Sequence, residues 1–169
     1  VVGCILGAVA GFFGKAVDTV IMRFMDIMMS IPKMVMAIAI ATTLGPGVTN
    51  AVIAVAISSV PEFARVVRAS TMTVRDEEYI EAARTIGCSK ARIIFRHVFP
   101  NILAPVIVQA TLGIGIAIIL AASLSFLGLG AEPPIPEWGC MLSESRTYVR
   151  DYWYMVAFPG LAIMLTVLS

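Results

Sequence analysis

An all-α, polytopic bundle of membrane-spanning helices is the fold class this sequence predicts, and three observations predict it. Of 169 residues, 59% are hydrophobic and 14% are charged, against roughly 25% charged in an ordinary soluble domain. The stretch Asn101 to Ala131 runs for 31 residues without a charge, and about 20 helical residues cross a hydrocarbon core. The remaining charge is concentrated: Thr73 to Pro100 holds five of the twelve Lys/Arg and four of the eleven Asp/Glu. A soluble chain of this size would need far more polar surface. The net charge of +1 identifies no partner.

Val1–Gly14 is uncharged, with Gly3, Gly7 and Gly11 at every fourth position. Such a face suits close helix packing in lipid. The segment is too short to span and is read as the inner end of a longer helix. No signal-peptide pattern opens the chain. It starts within one apolar run and stops within another, so the expectation is a single transmembrane domain, 1–169, truncated at both ends.

The second span is expected over 17–44. Arg23 and Asp26 lie three apart on one face and read as a local ion pair, or as a polar contact with a partner helix. Pro32 should kink this helix, and the methionines from Met22 to Met36 give a deformable packing surface. Gly45-Pro46-Gly47 marks a turn. A third span follows over 49–70, interrupted at Pro61-Glu62, with Arg65 and Arg68 in its last turns, where cations suit the helix dipole. A fourth span lies within 101–128, where Gln109 is the strongly polar amide; it reads as lining a pathway or as bonding a neighbouring helix, the second being favoured. Then come a polar Pro/Trp loop, 131–151, and a final apolar run, 152–169, opened by Tyr152, Trp153 and Tyr154 and broken at Pro159-Gly160. Trp138 and this aromatic trio read as interface anchors.

Orientation comes from Lys/Arg counts in the loops. The Arg65–Arg96 region has seven, the Gly45–Asn50 turn none and the Ala131–Asp151 loop two. By the positive-inside rule, loop 73–100 is cytoplasmic and loop 131–151 extracytoplasmic.

The charged stretch reads as two short helices. The first is expected to start near Thr73 with Asp76 in a capping-box-like relation. Acidic residues fill its first turn. Tyr79, Ala82, Ala83 and Ile86 fall at i, i+3, i+4 and i+7 and form one narrow apolar stripe. Gly87 follows at a position suited to a left-handed residue. Ser89 can cap the second helix, Lys90 to about Val98, which Pro100 closes. The stripe reads as a docking surface: Ala82 and Ala83 admit another protein close to the backbone, and Tyr79 and Ile86 are anchors. The alternative is an amphipathic helix on lipid, with Arg84, Lys90, Arg92 and Arg96 facing headgroups. Such a helix usually buries larger side chains than two alanines, which favours docking.

Glu81-Ala82-Ala83, Gly87 after three residues, and His97-Val98-Phe99-Pro100 after nine more resemble the EAA loop of ABC importer permeases. That family pattern is EAA, three residues, G, nine residues, I-x-L-P; here His97 and Phe99 replace the usual Ile and Leu. The stretch Ser123 to Leu142 is similar to the C-type permeases of dipeptide, oligopeptide and nickel importers. So are Asp26–Pro32 and Phe158–Ile163, to an early and the last helix of that family. The resemblance implies a type I ABC importer permease fold with a cytoplasmic coupling-helix loop, in a prokaryotic plasma (inner) membrane. It implies a second permease subunit as heterodimer partner, two ATP-binding subunits and an extracytoplasmic substrate-binding protein. Carried over by motif, Glu81, Ala82, Ala83 and Gly87 are ATPase-coupling positions, beside Tyr79 and Ile86.

No Walker A loop, HExxH, paired Cys or GxSxG occurs, so the expectation is a transport subunit rather than an enzyme. No cofactor or metal is expected on this chain, and ATP-Mg belongs to the partner subunits. Cys4, Cys88 and Cys140 have neither disulfide nor metal spacing. No feature points to nucleic acid. Peptide is the expected cargo, since no residue stands out as a nickel ligand; a nickel-type permease remains an alternative. From another class, a non-transporting membrane scaffold remains too. A secondary transporter would need embedded carboxylates, and only Asp26 approaches that description.

Overall fold

The computed structural model describes residues 1–131 and 134–168, and every regular element among them is helical. In chain order these are α1 (Val2–Phe13), α2 (Lys15–Met29), α3 (Lys33–Leu44), α4 (Val48–Arg75), α5 (Glu78–Thr85) and α6 (Lys90–Ile93). A π-helical turn, Ile94–Val98, then leads into α7 (Phe99–Phe126), followed by α8 (Trp138–Ser145) and α9 (Tyr154–Leu168). They form two packed units, Val1–Ser30 with Ser59–Thr111, and Ile31–Ser58 with Leu112–Ser169.

In the first unit the glycine face of α1 lies directly on α4. A Cβ at Gly3, Gly7 or Gly11 would stand 2.6, 2.3 or 2.8 Å from the carbonyl oxygens of Val60, Ala64 and Arg68, respectively. Glycines four apart therefore meet carbonyls four apart, and the two backbones approach as small-residue stripes allow. The pairing order makes α1 parallel to α4. Helix α2 returns antiparallel: Asp18 accepts hydrogen bonds from Arg68, through Nε and, at 2.6 Å, Nη2. Asp26 accepts one from Arg65 at 2.8 Å. Phe12, Val67, Ile80, Ala83, Ile93, Val98 and Ile102 form the core of this unit.

In the second unit, Ala37 and Ala41 of α3 pack with Ala51, Ala54 and Val55 of α4 and with Leu120 and Leu124 of α7. The Glu137 carboxylate caps α8 by accepting from the Cys140 N–H at 2.9 Å. Tyr152 and Trp153 meet Tyr154 edge-on, at 6.1 and 6.4 Å between ring centroids.

By length and composition α4 and the continuous stretch Lys90–Phe126 can cross a membrane, and α2 with α3 make a third if counted as one broken span; α1 and α9 are shorter apolar helices. Only 6% of the apolar window of Lys90–Phe126 is buried within the chain. Ile107, Val108, Leu112 and Ile114 are accordingly exposed, a surface for lipid or for other helices.

The structure corrects several element boundaries. The expected helix over 17–44 is broken at Ser30–Pro32, where Pro32 has an extended ψ of 132°. Pro61 and Pro159 do not interrupt α4 and α9, which run through them; apolar helices tolerate proline when neighbours take up the freed carbonyl. Pro100 does not close a helix either. It follows the π turn, whose wider backbone accommodates the missing N–H. The Arg23–Asp26 pair does not form, because Asp26 is taken by Arg65. Arg65 and Arg68 thus serve as cross-helix ion pairs, not only as complements to the dipole. The polar loop 131–151 contains α8 and a 3₁₀ turn, Arg146–Tyr148; Glu132 and Pro133 of its proline-rich start, and Ser169 of the final apolar run, lie outside the described residues.

Candidate functional site

The charged stretch folds as a helix–bend–helix whose two ends are tied to the first unit. On the entry side α4 continues to Arg75, past the expected start at Thr73, and α5 begins at Glu78 with Glu77 as its N-cap. Asp76 is therefore not a capping residue. Its carboxylate accepts from Arg75 Nε at 2.9 Å, and this bond holds its pKa below the ordinary value of 3.8. Arg75 also donates through Nη1 to the Gly11 carbonyl at 2.9 Å, which fixes the end of α4 to the end of α1.

The exit from α5 is a complete Schellman motif. The Gly87 N–H donates to the Arg84 carbonyl and the Cys88 N–H to the Ala83 carbonyl, both at 3.0 Å. Gly87 takes the left-handed backbone this motif needs, φ +81°, as the sequence expected. Ser89 then caps α6, its Oγ accepting from the Arg92 N–H at 3.4 Å. From Lys90 the helix is unbroken to Phe126, 37 residues, or about 55 Å at 1.5 Å per residue.

The expected stripe is divided between two faces. Ile80 and Ala83 point inward, with Ile80 fully buried in the core beside Phe12 and Val67. Tyr79, Ala82 and Ile86 point outward with Glu81. Ile86 is 79% exposed. Ala83 is thus an anchor to this chain's own core and is not on the outer face; the stripe at i, i+3, i+4, i+7 was one residue too wide. Sequence reasoning missed Ile80. Its signal was an aliphatic residue three before Ala83, on the same side of the helix. The outer face also carries the Tyr79 ring, tilted toward His97 at 6.3 Å. Phe95 and Phe99 are exposed one helical turn apart further along the chain.

Among the described residues no group of three or more His, Cys, Asp or Glu is placed to hold a metal ion, and all three cysteines are free thiols. The arrangement offers no nucleophile–base pair. What it offers is a short rigid helix with an apolar-and-acidic outer face, joined through a locked bend to a long helix.

Residues 3–169 match the family described as the binding-protein-dependent transport system inner membrane component. The chain is 52% identical over 167 residues, 99% of its length, to the dipeptide transport system permease protein DppC of Alkalihalophilus pseudofirmus, of which it covers 55%. It is 48% identical to the di/tripeptide transport system permease protein DppC of Pseudomonas aeruginosa, over 99% of this chain and 55% of that one. It is 45% identical to the glutathione transport system permease protein GsiD of Pectobacterium atrosepticum, over 99% of this chain and 56% of that one. The chain thus spans about 55% of the length of the curated relatives it matches.

Proposed function

Because this chain belongs to the family of binding-protein-dependent inner-membrane transport components, we propose that it is a permease subunit of an ATP-driven peptide importer. It forms half of a transmembrane pathway with a second permease subunit. Two ATP-binding subunits hold ATP-Mg and hydrolyse it. An extracytoplasmic binding protein delivers substrate on the side of residues 131–151, and residues 73–100 face the cytoplasm, as the Lys/Arg distribution favours. Peptide as cargo is supported by the names of the relatives, which are dipeptide, di/tripeptide and glutathione permeases.

The observation that carries this reading is the outward face of α5. Tyr79, Glu81, Ala82 and Ile86 are exposed on a helix whose opposite side is anchored by Ile80 and Ala83. A groove on an ATP-binding subunit takes Ile86 and Tyr79 as apolar anchors, and Ala82 lets the backbone approach closely. Glu81 supplies a charge that sets register. When the ATP-binding pair closes, it displaces α5. The Schellman-locked bend at Gly87 passes that displacement to the helix from Lys90 to Phe126, the short Arg75–Glu78 connection passes it to α4, and the pathway changes access.

Two variants test it. Gly87→Pro replaces a φ of +81° by about −65° and removes the N–H bonded to Arg84; uptake should fall at least tenfold while membrane insertion is retained. Ala82→Cys should cross-link to an ATP-binding subunit, and Ala83→Cys, facing the core, should not. Normal uptake by Gly87→Pro, or equal cross-linking from both positions, would remove the assigned role.

A further inference from the structure

A cleft of about 290 Å³ opens beside α5, lined by Phe12, Phe13, Arg84, Cys88, Lys90 and Ile93. Phe12 and Phe13 are the last two residues of α1, and their rings meet edge-to-face at 5.5 Å, which makes a two-walled aromatic floor. One cation stands over each ring: the Arg84 guanidinium 5.9 Å from Phe12 and the Lys90 ammonium 5.8 Å from Phe13. Among the described residues neither cation has a carboxylate ion-pair partner. Asp76 senses Arg84 at longer range, but its oxygens are held by Arg75.

Arg84 and Lys90 both line this cleft, so an anion entering it meets two positive charges that no carboxylate ion pair neutralises. Cation–π contacts orient both groups without neutralising them. The geometry points to a phosphate-group site in this cleft, with Arg84 and Lys90 as the ligands. Arg84 offers a forked donor suited to phosphate oxygens, and Lys90 a point charge. The volume is at the small end for ligand clefts, which suits a headgroup rather than a whole metabolite. The floor belongs to the end of an apolar helix, just before Gly14 and Lys15. There, apolar chain and phosphate of one lipid molecule meet Phe13 and the two cations together, so an anionic phospholipid is the favoured source and a soluble phosphate the other. The site rests on membrane location and on this geometry, not on the coupling role of α5.

Cys88 lies half-buried in the cleft wall and reports occupancy. The full-length protein in its transport complex is placed in nanodiscs of neutral phosphatidylcholine, of the same lipid with phosphatidylglycerol, and of neutral lipid with added inorganic phosphate. N-ethylmaleimide alkylation of Cys88 is followed by peptide mass spectrometry, with Cys4 and Cys140 as internal references. Two cations near an anionic surface predict slowing of Cys88 by about tenfold or more. Slowing with phosphatidylglycerol alone assigns a lipid headgroup, and slowing with inorganic phosphate assigns a soluble ligand. Unchanged Cys88 rates in both arms overturn the site. Lys90→Gln should reduce the protection, and Arg92→Gln, a cation outside the cleft, should not. Protection that survives Arg84→Gln/Lys90→Gln would reflect general surface charge and would also overturn it.

Discussion

Gly7→Ala adds a single methyl group to a helix and is expected to destabilise the protein. The new Cβ would stand 2.3 Å from the Ala64 carbonyl oxygen and 2.9 Å from Val67 Cβ, where ordinary contact begins at 3.4 Å. Backbone atoms on the opposing helix cannot rotate away, so α1 and α4 must separate by about 1 Å, a gap that forfeits a quarter to a half of the dispersion energy along the seam. Overpacking of this kind costs about 1–3 kcal/mol. The better helix propensity of Ala returns about 1 kcal/mol. The net loss is up to about 2 kcal/mol, or up to roughly 8 °C in melting temperature on the scaling for domains of this size. Separation would also stretch the Arg75 bond to the Gly11 carbonyl, now 2.9 Å. The assay is a thermal melt of the full-length protein in one detergent, with Gly160→Ala alongside. Gly160 lies within α9 and a Cβ there meets nothing within 4 Å, so that variant should gain stability through propensity alone. If Gly7→Ala gains stability as Gly160→Ala does, the close α1–α4 seam does not exist.

The two cross-helix ion pairs should differ in weight. Asp18→Asn leaves Arg68, whose side chain is 29% exposed, without its partner and should cost about 2 kcal/mol. Asp26→Asn breaks a pair that is about half exposed on both sides and should cost under about 1 kcal/mol; equal melting temperatures for the two variants would contradict this ranking. Asp76 titrates below its ordinary 3.8 because Arg75 binds its carboxylate. A lowered folded-state pKa contributes stability that is fully present above the unfolded value and is lost as pH falls through the folded one. The stability gap between wild type and Asp76→Asn should therefore be constant from pH 7 to about 5 and shrink on further acidification. Melts at pH 7, 5 and 3 check this, and a gap that widens in acid refutes it.

Much of the candidate site was legible beforehand because its features are local. Gly87 followed a helical pattern and Ser89 preceded one, and both positions do what their side chains permit: a left-handed exit and an oxygen cap. The acidic start of α5 was visible in part: Glu78 of the expected Asp76, Glu77 and Glu78 lies in its first turn, whereas Glu77 is the N-cap and Asp76 precedes the helix. The division of the stripe was not. A helical wheel places Tyr79, Ala82, Ala83 and Ile86 within one broad arc, and only the position of the Phe12–Val67 cluster decides which edge of that arc turns inward. The start of α5 shifted for a similar reason: α4 extends because Arg75 finds the Gly11 carbonyl 64 positions earlier in the chain.

Composition and the 31-residue uncharged run from Asn101 to Ala131 together determined that this chain is a membrane-embedded helical protein: so few charges cannot cover a soluble surface, and a run of that length suits a spanning helix. The four-residue glycine period determined that α1 would pack closely on something. Tertiary structure decided what it packs on, which arginine each aspartate takes, and which prolines break a helix. Pro32 ends one and Pro61, Pro100 and Pro159 do not, although all four present the same ring and lack the same N–H. The difference lies in whether the surrounding backbone can absorb the freed carbonyl and the ring, and that depends on neighbours distant in sequence. The paired cations over Phe12 and Phe13 have the same origin. Arg84 and Lys90 are unremarkable in a basic stretch, and they become a binding cleft only because the end of α1 is folded beneath them.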